Sequence, residues 1–346
     1  MMKSKFWKTL VLTFSVFLIS PGVLGAGTTS TKRKQAKKAH RSASASLDPK
    51  AANDAARTPI IRKGIHGISV LRAEVLLDRA HFSPGEIDGT YGVNSMKAVA
   101  AYQAAHGLRP SGTIDAATWK TLNGDTEPVT ISYTIADADM AGPFVKIPTE
   151  PEEKAKLPSL SYESPLEALA ERVHASPRLL QQLNRGKALD KAKAGETIWI
   201  LNTTRPPLPK CARVIVSQSD LSVSALGSDG TAIARYPAST GSEHDPLPLG
   251  EWKIQGVARH PVFHYDPNLF WDAEDGSKKL TLPAGPNNPV GVVWIDLSKP
   301  HYGIHGSPEP AAIGRTQSHG CIRLTNWDAT ELSGIVGPGT PALLKD

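Results

Sequence analysis

The sequence predicts a multidomain protein: a small all-α domain, a small α+β module and a larger, mainly-β domain of the sandwich or barrel type. Three observations support this fold class. The chain of 346 residues has room for two or three domains. Apolar residues recur at helical spacing between residues 61 and 124. From Cys211 to residue 346, short strand-like runs alternate with glycine and proline turns.

Residues 1–26 have the pattern of a secretory signal peptide. Lys3, Lys5 and Lys8 form a basic start, and an apolar run follows at residues 10–19. The alternative is an uncleaved membrane anchor, but the run has only about half of the ~20 residues needed to span a bilayer. We therefore expect a cleaved signal and an exported protein in the periplasm or cell wall.

Residues 27–60 are rich in Ala, Ser, Thr and Lys and have no apolar period, which predicts a disordered basic linker. Its basic residues are concentrated between residues 32 and 41. This cluster is either a solvated arm or a contact to anionic wall polymer or membrane surface. The sequence shows no nucleic-acid-binding module, and an exported protein rarely meets nucleic acid.

Residues 61–124 have the periodicity of three short helices. We expect Asn94 or Ser95 to cap the second helix and Asp115 to cap the third. The pattern resembles the peptidoglycan-binding type 1 domain through four groups of residues, 87–92, 98–103, 107–108 and 112–119. The resemblance implies that this domain binds peptidoglycan.

Residues 125–160 read as a connector that contains one strand-like run, at residues 129–135. Residues 161–203 follow with two helix starts at Ser-Pro pairs and a closing strand near residues 195–200. This second unit resembles a divergent LysM module, which implies glycan binding. A simple spacer role is the alternative.

The chemistry of the chain is concentrated in residues 318–324, Ser-His-Gly-Cys-Ile-Arg-Leu. A cysteine attacks as its thiolate, so Cys321 needs a base or a positive neighbour. In an extended segment, alternate side chains share a face, which would place His319, Cys321 and Arg323 on one side. Gly320 permits close backbone approach, so that nearby main-chain N–H groups can hold an oxyanion.

A second histidine, His305, lies near enough upstream for one loop between neighbouring strands to bring it to Cys321. The alternative for Cys321 is a disulfide with Cys211, the other cysteine of the chain, because exported proteins meet an oxidising compartment. A disulfide needs none of the basic neighbours, so the residue chemistry favours a nucleophilic thiol.

Residues 211–346 resemble the L,D-transpeptidase catalytic domain, also called YkuD-like. Six segments carry the resemblance: residues 239–241, 248–252, 285–291, 302–307, 313–314 and 318–324. One departure is Leu247, which stands where the family usually has threonine. The turn lies outside the thiol motif.

The resemblance implies a two-step acyl transfer on peptidoglycan stem peptides. Cys321 would be the nucleophile and His305 the proton acceptor and donor. His319 and the amides of Gly320 and Cys321 would stabilise the oxyanion. The expected substrate-binding residues are Ser318, Tyr302, Gly306 and Arg323. The resemblance implies neither a metal nor an organic cofactor.

Several activities remain open at this stage. The leading hypothesis is an L,D-transpeptidase that releases D-alanine and forms 3→3 cross-links. Water as acyl acceptor would make the enzyme an L,D-carboxypeptidase, and a protein lysine would make it a protein-to-peptidoglycan ligase. A non-catalytic peptidoglycan-binding scaffold is the alternative from a different class, although a scaffold has no use for the pair of His305 and Cys321.

Overall fold

The structure is a computed structural model, and it describes residues 47–270, 273, 277–318 and 320–346. The predicted signal peptide, most of the basic linker and His319 lie outside the described residues. Within the described part of the chain, no helix is both long and apolar enough to cross a membrane.

The N-terminal domain is helical, as predicted, with a core around Trp119 and Leu77. Its helices are α1 (Pro49–Ala52), α2 (Ile68–Arg79), α3 (Val93–Ala105) and α4 (Ala116–Leu122). Asp115 caps α4 by accepting a hydrogen bond from the amide of Thr118, which confirms that prediction.

The predicted cap of α3 is wrong. The helix begins at Val93, and its N-cap is Gly92, which makes no side-chain capping bond. Ser95 instead donates to the buried carboxylate of Glu74, at 2.9 Å. Asn94 donates to the main chain of Ile313, far along the sequence. The two side chains that the local pattern assigns to the cap therefore form tertiary hydrogen bonds instead.

The end of the predicted linker is also ordered. Ala52 is buried, and the side chain of Asn53 accepts hydrogen bonds from the amides of Val129 and Thr130. The indole of Trp119 donates to the carbonyl of Pro59 at 2.8 Å. Residues 47–60 thus belong to the folded domain, because the side chain of Asn53 and the carbonyl of Pro59 satisfy polar groups within it.

The second unit is built on a two-stranded antiparallel sheet, β1 (Thr130–Thr134) with β2 (Thr197–Leu201). The chain between them carries α5 (Pro151–Lys154), α6 (Pro165–Arg172), α7 (Pro177–Leu183) and two 3₁₀ turns (Asp137–Met140 and Leu189–Lys191). The predicted boundary between residues 160 and 161 is therefore wrong, since it separates two strands that pair. Ser164 and Ser176 cap α6 and α7, as their Ser-Pro pattern indicates.

One hydrophobic core runs through both units. It extends from Ala52 to Leu201 and includes Leu77, Trp119 and Leu180. Because apolar side chains of both units exclude water together, the two predicted modules form one packed body.

The C-terminal domain is mainly β, as predicted. It contains a mixed eight-stranded sheet of order β11-β10-β9-β6-β12-β3-β4-β5. Its strands are β3 (Arg213–Ser217), β4 (Ser222–Leu226), β5 (Ala232–Pro237), β6 (Gly250–Arg259), β9 (Val293–Leu297), β10 (Gly303–His305), β11 (Ile322–Arg323) and β12 (Pro341–Lys345). A separate hairpin pairs β7 (Phe263–Tyr265) with β8 (Leu280–Leu282), and two 3₁₀ turns lie at Pro267–Leu269 and Pro310–Ala312.

The sheet is curled, and its two edges meet. Just after β5, the main chain of Ser239 exchanges hydrogen bonds of 2.9 and 3.0 Å with Arg323 of β11. Helix α8 (Asn326–Ile335), capped by Thr325, contributes Leu332 to the apolar core. These two hydrogen bonds pair main-chain groups of Arg323 that would otherwise be open at the edge of β11, beside Cys321.

A buried ion cluster joins the helical body to the C-terminal domain. Arg205 pairs with Asp78 and, at 2.7 Å, with Glu331 of α8. Burial would raise the pKa of Asp78, but the charges of Arg205 and His174 lower it to about 2. Asp328 has a pKa raised to about 7, mainly by burial. The carboxylates need Arg205, because an unpaired charge in this interior would be costly.

Candidate active site

The topology of the sheet brings Cys321 next to the strand of His305. Strands β10 and β11 are parallel, with Ile304 opposite Ile322 and His305 opposite Arg323. Cys321 immediately precedes β11 and therefore lies at the start of this strand pair. Cys321 and Cys211 are both free thiols, so the disulfide alternative is not supported.

His305 is buried and held by its own loop. Its Nδ1 lies 2.7 Å from the carbonyl oxygen of Gly306, and its ring stacks on Trp294 with centroids 5.4 Å apart. A carbonyl only accepts, so Nδ1 carries the proton and Nε2 is left as the proton acceptor. Burial lowers the pKa of His305 to about 4. The hydrogen bond to Gly306 opposes this shift, whereas the positive charge of Arg323 also lowers the pKa. The imidazole is therefore neutral at neutral pH.

The thiol of Cys321 is also neutral in this arrangement. Burial raises its pKa, while a backbone hydrogen bond to Gly303 and the charge of Arg323 oppose that shift. Its Sγ donates to the carbonyl of His301 at 3.7 Å. A neutral thiol and a neutral imidazole, brought together by the pairing of β10 with β11, suit proton transfer during attack rather than a preformed ion pair.

The turn before Cys321 requires glycine. Gly320 has φ of +97°, in the left-handed region that favours glycine. A Cβ there would lie 2.8 Å from Cε1 of Tyr302, so Tyr302 packs directly on this backbone. Ser318 donates its hydroxyl to the carbonyl of Cys321 at 2.5 Å. The Ser318 hydroxyl is thus occupied by the loop itself.

Arg323 also contacts the loop. Its guanidinium donates to the carbonyl of Gln317 and, at 3.3 Å, to the hydroxyl of Thr316. Burial lowers the pKa of Arg323, although arginine stays charged. Of the predicted site, the structure groups Cys321, Gly320, Tyr302 and Arg323 around the loop, while His319 lies outside the described residues.

Comparison with known proteins identifies the family. Residues 212–344 match the L,D-transpeptidase catalytic domain (YkuD), and residues 66–122 match the "Putative peptidoglycan binding domain". A "Putative L,D-transpeptidase YkuD" of Bacillus licheniformis is 32% identical over 175 residues, covering 51% of this chain and 90% of the relative. The chain belongs to the YkuD L,D-transpeptidase family. It is an enzyme of this class, and peptidoglycan is its partner.

Two further similarities complete the comparison of this L,D-transpeptidase. The Bacillus subtilis protein named "Putative L,D-transpeptidase YkuD" is 54% identical over 148 residues, covering 42% of this chain and 73% of the relative. A crystal structure of an L,D-transpeptidase from Xylanimonas cellulosilytica has a TM-score of 0.35 at 16% identity, covering 82% of this chain and 96% of that chain. Neither matched family region includes the LysM-like unit, which stays a prediction.

Sequence reasoning missed Asn326, which supports the His305 loop of this L,D-transpeptidase. Its Oδ1 accepts from the amide of Val292 at 3.2 Å, and a Cβ on Gly306 would lie 2.2 Å from that oxygen. Its Nδ2 donates to Glu171 of α6 at 3.1 Å. The local sequence does not mark Asn326 for this role, because its partners are distant in the chain.

The second missed residue is Asn94, which contacts the loop that leads to Cys321. Its Nδ2 donates to the carbonyl of Ile313 at 2.9 Å. Gly314 has φ of +74°, and a Cβ there would lie 2.5 Å from Oδ1 of Asn94. The amide of Gly314 donates to the hydroxyl of Ser239 at 3.1 Å. The helical domain and the sheet therefore fix this loop together.

The described residues contain no group of three His, Cys, Asp or Glu side chains placed to hold a metal ion.

Proposed function

We propose that this protein is an exported cysteine L,D-transpeptidase that joins peptidoglycan stem peptides through an acyl-enzyme at Cys321. One observation carries the proposal. His305 lies on β10, which pairs with β11, the strand that follows Cys321. Its Nδ1 donates to the Gly306 carbonyl, so Nε2 is available as a base. Membership of the L,D-transpeptidase family supports the reaction class.

In the first step, Sγ of Cys321 attacks the carbonyl between the third residue of a stem tetrapeptide and its terminal D-alanine. The thiol proton passes to Nε2 of His305 as the S–C bond forms. Amides of Gly320 and Cys321, with His319, stabilise the oxyanion. The C–N bond then breaks, and His305 returns the proton to the departing amine of D-alanine.

In the second step, an amine attacks the thioester. The side-chain amine of meso-diaminopimelate on another stem gives a 3→3 cross-link. His305 takes a proton from the attacking amine, the S–C bond breaks and the sulfur is reprotonated. We propose that Tyr302 and Gly306 bind the substrate. Ser318 and Arg323 would position it indirectly, because both donate hydrogen bonds to main-chain carbonyls of the Cys321 loop.

Export and wall attachment are part of the proposal. The basic and apolar pattern of residues 1–26 supports export, and the match of residues 66–122 supports retention on the wall. We further propose that the basic cluster between residues 32 and 41 contacts anionic polymer. Sedimentation with purified sacculi tests retention, because a chain lacking the helical domain should remain in the supernatant.

The test of the reaction is intact mass after incubation with a disaccharide-tetrapeptide. We expect a transient adduct on Cys321, release of D-alanine and a cross-linked dimer. Cys321→Ala should give none of these, whereas the matched control Cys211→Ala should give all three. D-alanine release with tripeptide as sole product would instead establish a carboxypeptidase, and no adduct on a reduced thiol would refute the acyl-enzyme.

A further inference from the structure

The connection between β9 and β10 runs beside the catalytic thiol. It comprises residues 298–302, and the carbonyl of His301 accepts a hydrogen bond of 3.7 Å from Sγ of Cys321. The next residue, Tyr302, packs on the turn at Gly320, where a Cβ would lie 2.8 Å from its ring. A long side chain of this connection is therefore placed to reach a substrate that is bound at the thiol.

Lys299 of this connection carries a cation that the fold holds in place. Its Nζ lies 5.7 Å from the ring centroid of Trp252 and 5.9 Å from that of Tyr302. Both distances are within the range of cation–π attraction. The Trp252 ring is itself fixed, because its Nε1 donates to the carbonyl of Pro248 at 2.8 Å. Two rings thus position the ammonium beside the site.

The charge of Lys299 has no anionic partner in the part of the chain that the structure describes. Among the described residues, its ammonium forms neither an ion pair nor a hydrogen bond. Burial, Cys321 and Asp245 all raise the pKa of Tyr302, but Asp245 lies beyond ion-pair distance of Lys299. The side chain of Lys299 is partly exposed, so that a ligand can reach it. Aromatic faces attract a cation without cancelling its charge, and Lys299 therefore stays able to pair with an anion.

A second cation near the thiol, Arg323, is already engaged. Its guanidinium donates to the main-chain carbonyl of Gln317 and to the hydroxyl of Thr316. These bonds hold the loop before Cys321, and an anion of the substrate would have to compete with them. Of the two cations, Lys299 is therefore the one that is open to a carboxylate.

We propose that Lys299 is a specificity residue that binds the terminal carboxylate of the departing D-alanine. This inference rests on the proposed function, in which the bond to that D-alanine is cleaved. The carboxylate carbon lies three bonds beyond the scissile carbonyl carbon, at a distance of roughly 3–4 Å. One further residue at the end of the stem would move the carboxylate outward by up to about 3.8 Å. A cation held at a fixed place beside the thiol thus selects a tetrapeptide over a pentapeptide.

The contact is made to a group that keeps its charge throughout the reaction. It stabilises the bound substrate and the transition state alike, so that its loss should raise KM more than it lowers kcat. A hydrogen bond between two charged groups at a partly exposed position corresponds to about tenfold in kcat/KM. A purely structural role of Lys299 would instead impair all substrates equally.

The test compares two stem tetrapeptides in the full chain, one ending in D-alanine and the other in D-alaninamide. Acylation of Cys321 is followed by stopped flow and by intact mass. We expect the ratio of kcat/KM for acid over amide to be about tenfold lower in Lys299→Met than in the parent, mainly through KM. Comparing this ratio between proteins cancels the intrinsic difference between the two leaving groups. Lys299→Arg, which keeps the charge, should retain most of the ratio.

The matched control is Lys253→Met. Lys253 is exposed and follows Trp252 on β6, so its side chain points to the opposite face of the strand. Its acid-to-amide ratio should equal that of the parent. Lys299→Met should also discriminate less between tetrapeptide and pentapeptide. Should this variant fail to fold, Lys299→Gln allows the same comparison.

Three outcomes would contradict the assignment in distinguishable ways. An equal acid-to-amide ratio in the parent and in Lys299→Met would overturn the role of Lys299 while leaving the acyl-enzyme intact. A Lys299→Met effect that disappears when the diaminopimelate carboxylate is amidated would assign the cation to that group instead of to D-alanine. Absence of an acyl-enzyme in the parent with the free acid would refute the proposed function itself, and the role of Lys299 with it.

Discussion

The side-chain amide of Asn94 donates a hydrogen bond of 2.9 Å to the main-chain carbonyl of Ile313. Asn94 belongs to the helical domain, whereas Ile313 lies in the loop that leads to Cys321. The adjacent Gly314 contacts the same side chain so closely that a Cβ there would lie 2.5 Å from its oxygen. The peptidoglycan-binding domain thus forms part of the support of the catalytic loop, in addition to any role on the wall.

Removing this support should impair the reaction without unfolding the protein. We expect Asn94→Ala to lower kcat for acyl-enzyme formation about three- to tenfold, because one hydrogen bond worth about 1 kcal/mol is lost from the loop. Stopped-flow measurement of acylation would test this. The neighbouring Val93→Ala, at an exposed position at the start of α3, is the control. An unchanged acylation rate in Asn94→Ala would show that the contact is structural only.

A methyl group on Gly306 should displace the base. The Cβ of Gly306→Ala would lie 2.2 Å from Oδ1 of Asn326, so the hydrogen-bonded side chain of Asn326 or the His305–Gly306 backbone must move. We expect at least about a hundredfold loss of kcat/KM, since misplaced catalytic groups are costly. In the double variant with Asn326→Ala the clash is absent, and part of the activity should return. Strictly additive losses in this double-mutant cycle would contradict the steric explanation.

The acid limb of the pH–rate profile should lie near pH 4. His305 must be neutral to accept the thiol proton, and burial lowers its pKa to about 4. Below that pH, kcat/KM should fall about tenfold per pH unit, whereas it should be flat from pH 5 to 7. Acylation kinetics with circular dichroism at each pH would separate titration from unfolding, and Cys211→Ala should show the same profile. A limb near pH 6.5 would indicate an unperturbed imidazole.

Asp328 should make the protein less stable as the pH rises toward 7. Its folded pKa is raised to about 7 from the ordinary 3.8, so the folded state binds a proton that the unfolded state has lost. This contribution to stability is complete below about pH 4 and is lost as the pH rises through 7. Between pH 5 and pH 8, the unfolding free energy of the parent should therefore fall by about 2–3 kcal/mol more than that of Asp328→Asn.

Urea denaturation at the two pH values measures that difference. The control is Asp54→Asn, which removes an exposed carboxylate that accepts from the Ala56 amide and pairs with Arg57 at the surface. The unfolding free energy of this control should change with pH as that of the parent does. If the unfolding free energy of Asp328→Asn changes with pH as that of the parent does, the carboxyl of Asp328 does not titrate in this range.

The sequence by itself determined the local features of this protein. The Asp115, Ser164, Ser176 and Thr325 caps depend on hydrogen bonds to amides a few residues away. The same holds for the thiol motif, in which Gly320 adopts a backbone conformation that few other residues tolerate. Such interactions depend on residue type and short spacing, and both can be read from the chain.

Only the tertiary structure decided the long-range pairings. The partner of β1 is β2, beyond three helices, so the connector and the LysM-like unit could not be separated correctly from the pattern. Asn94 and Asn326 have ordinary local contexts, and their importance comes from partners distant in the sequence. Packing of apolar surfaces brings these segments together, and the buried polar groups must then find whichever partners lie opposite them.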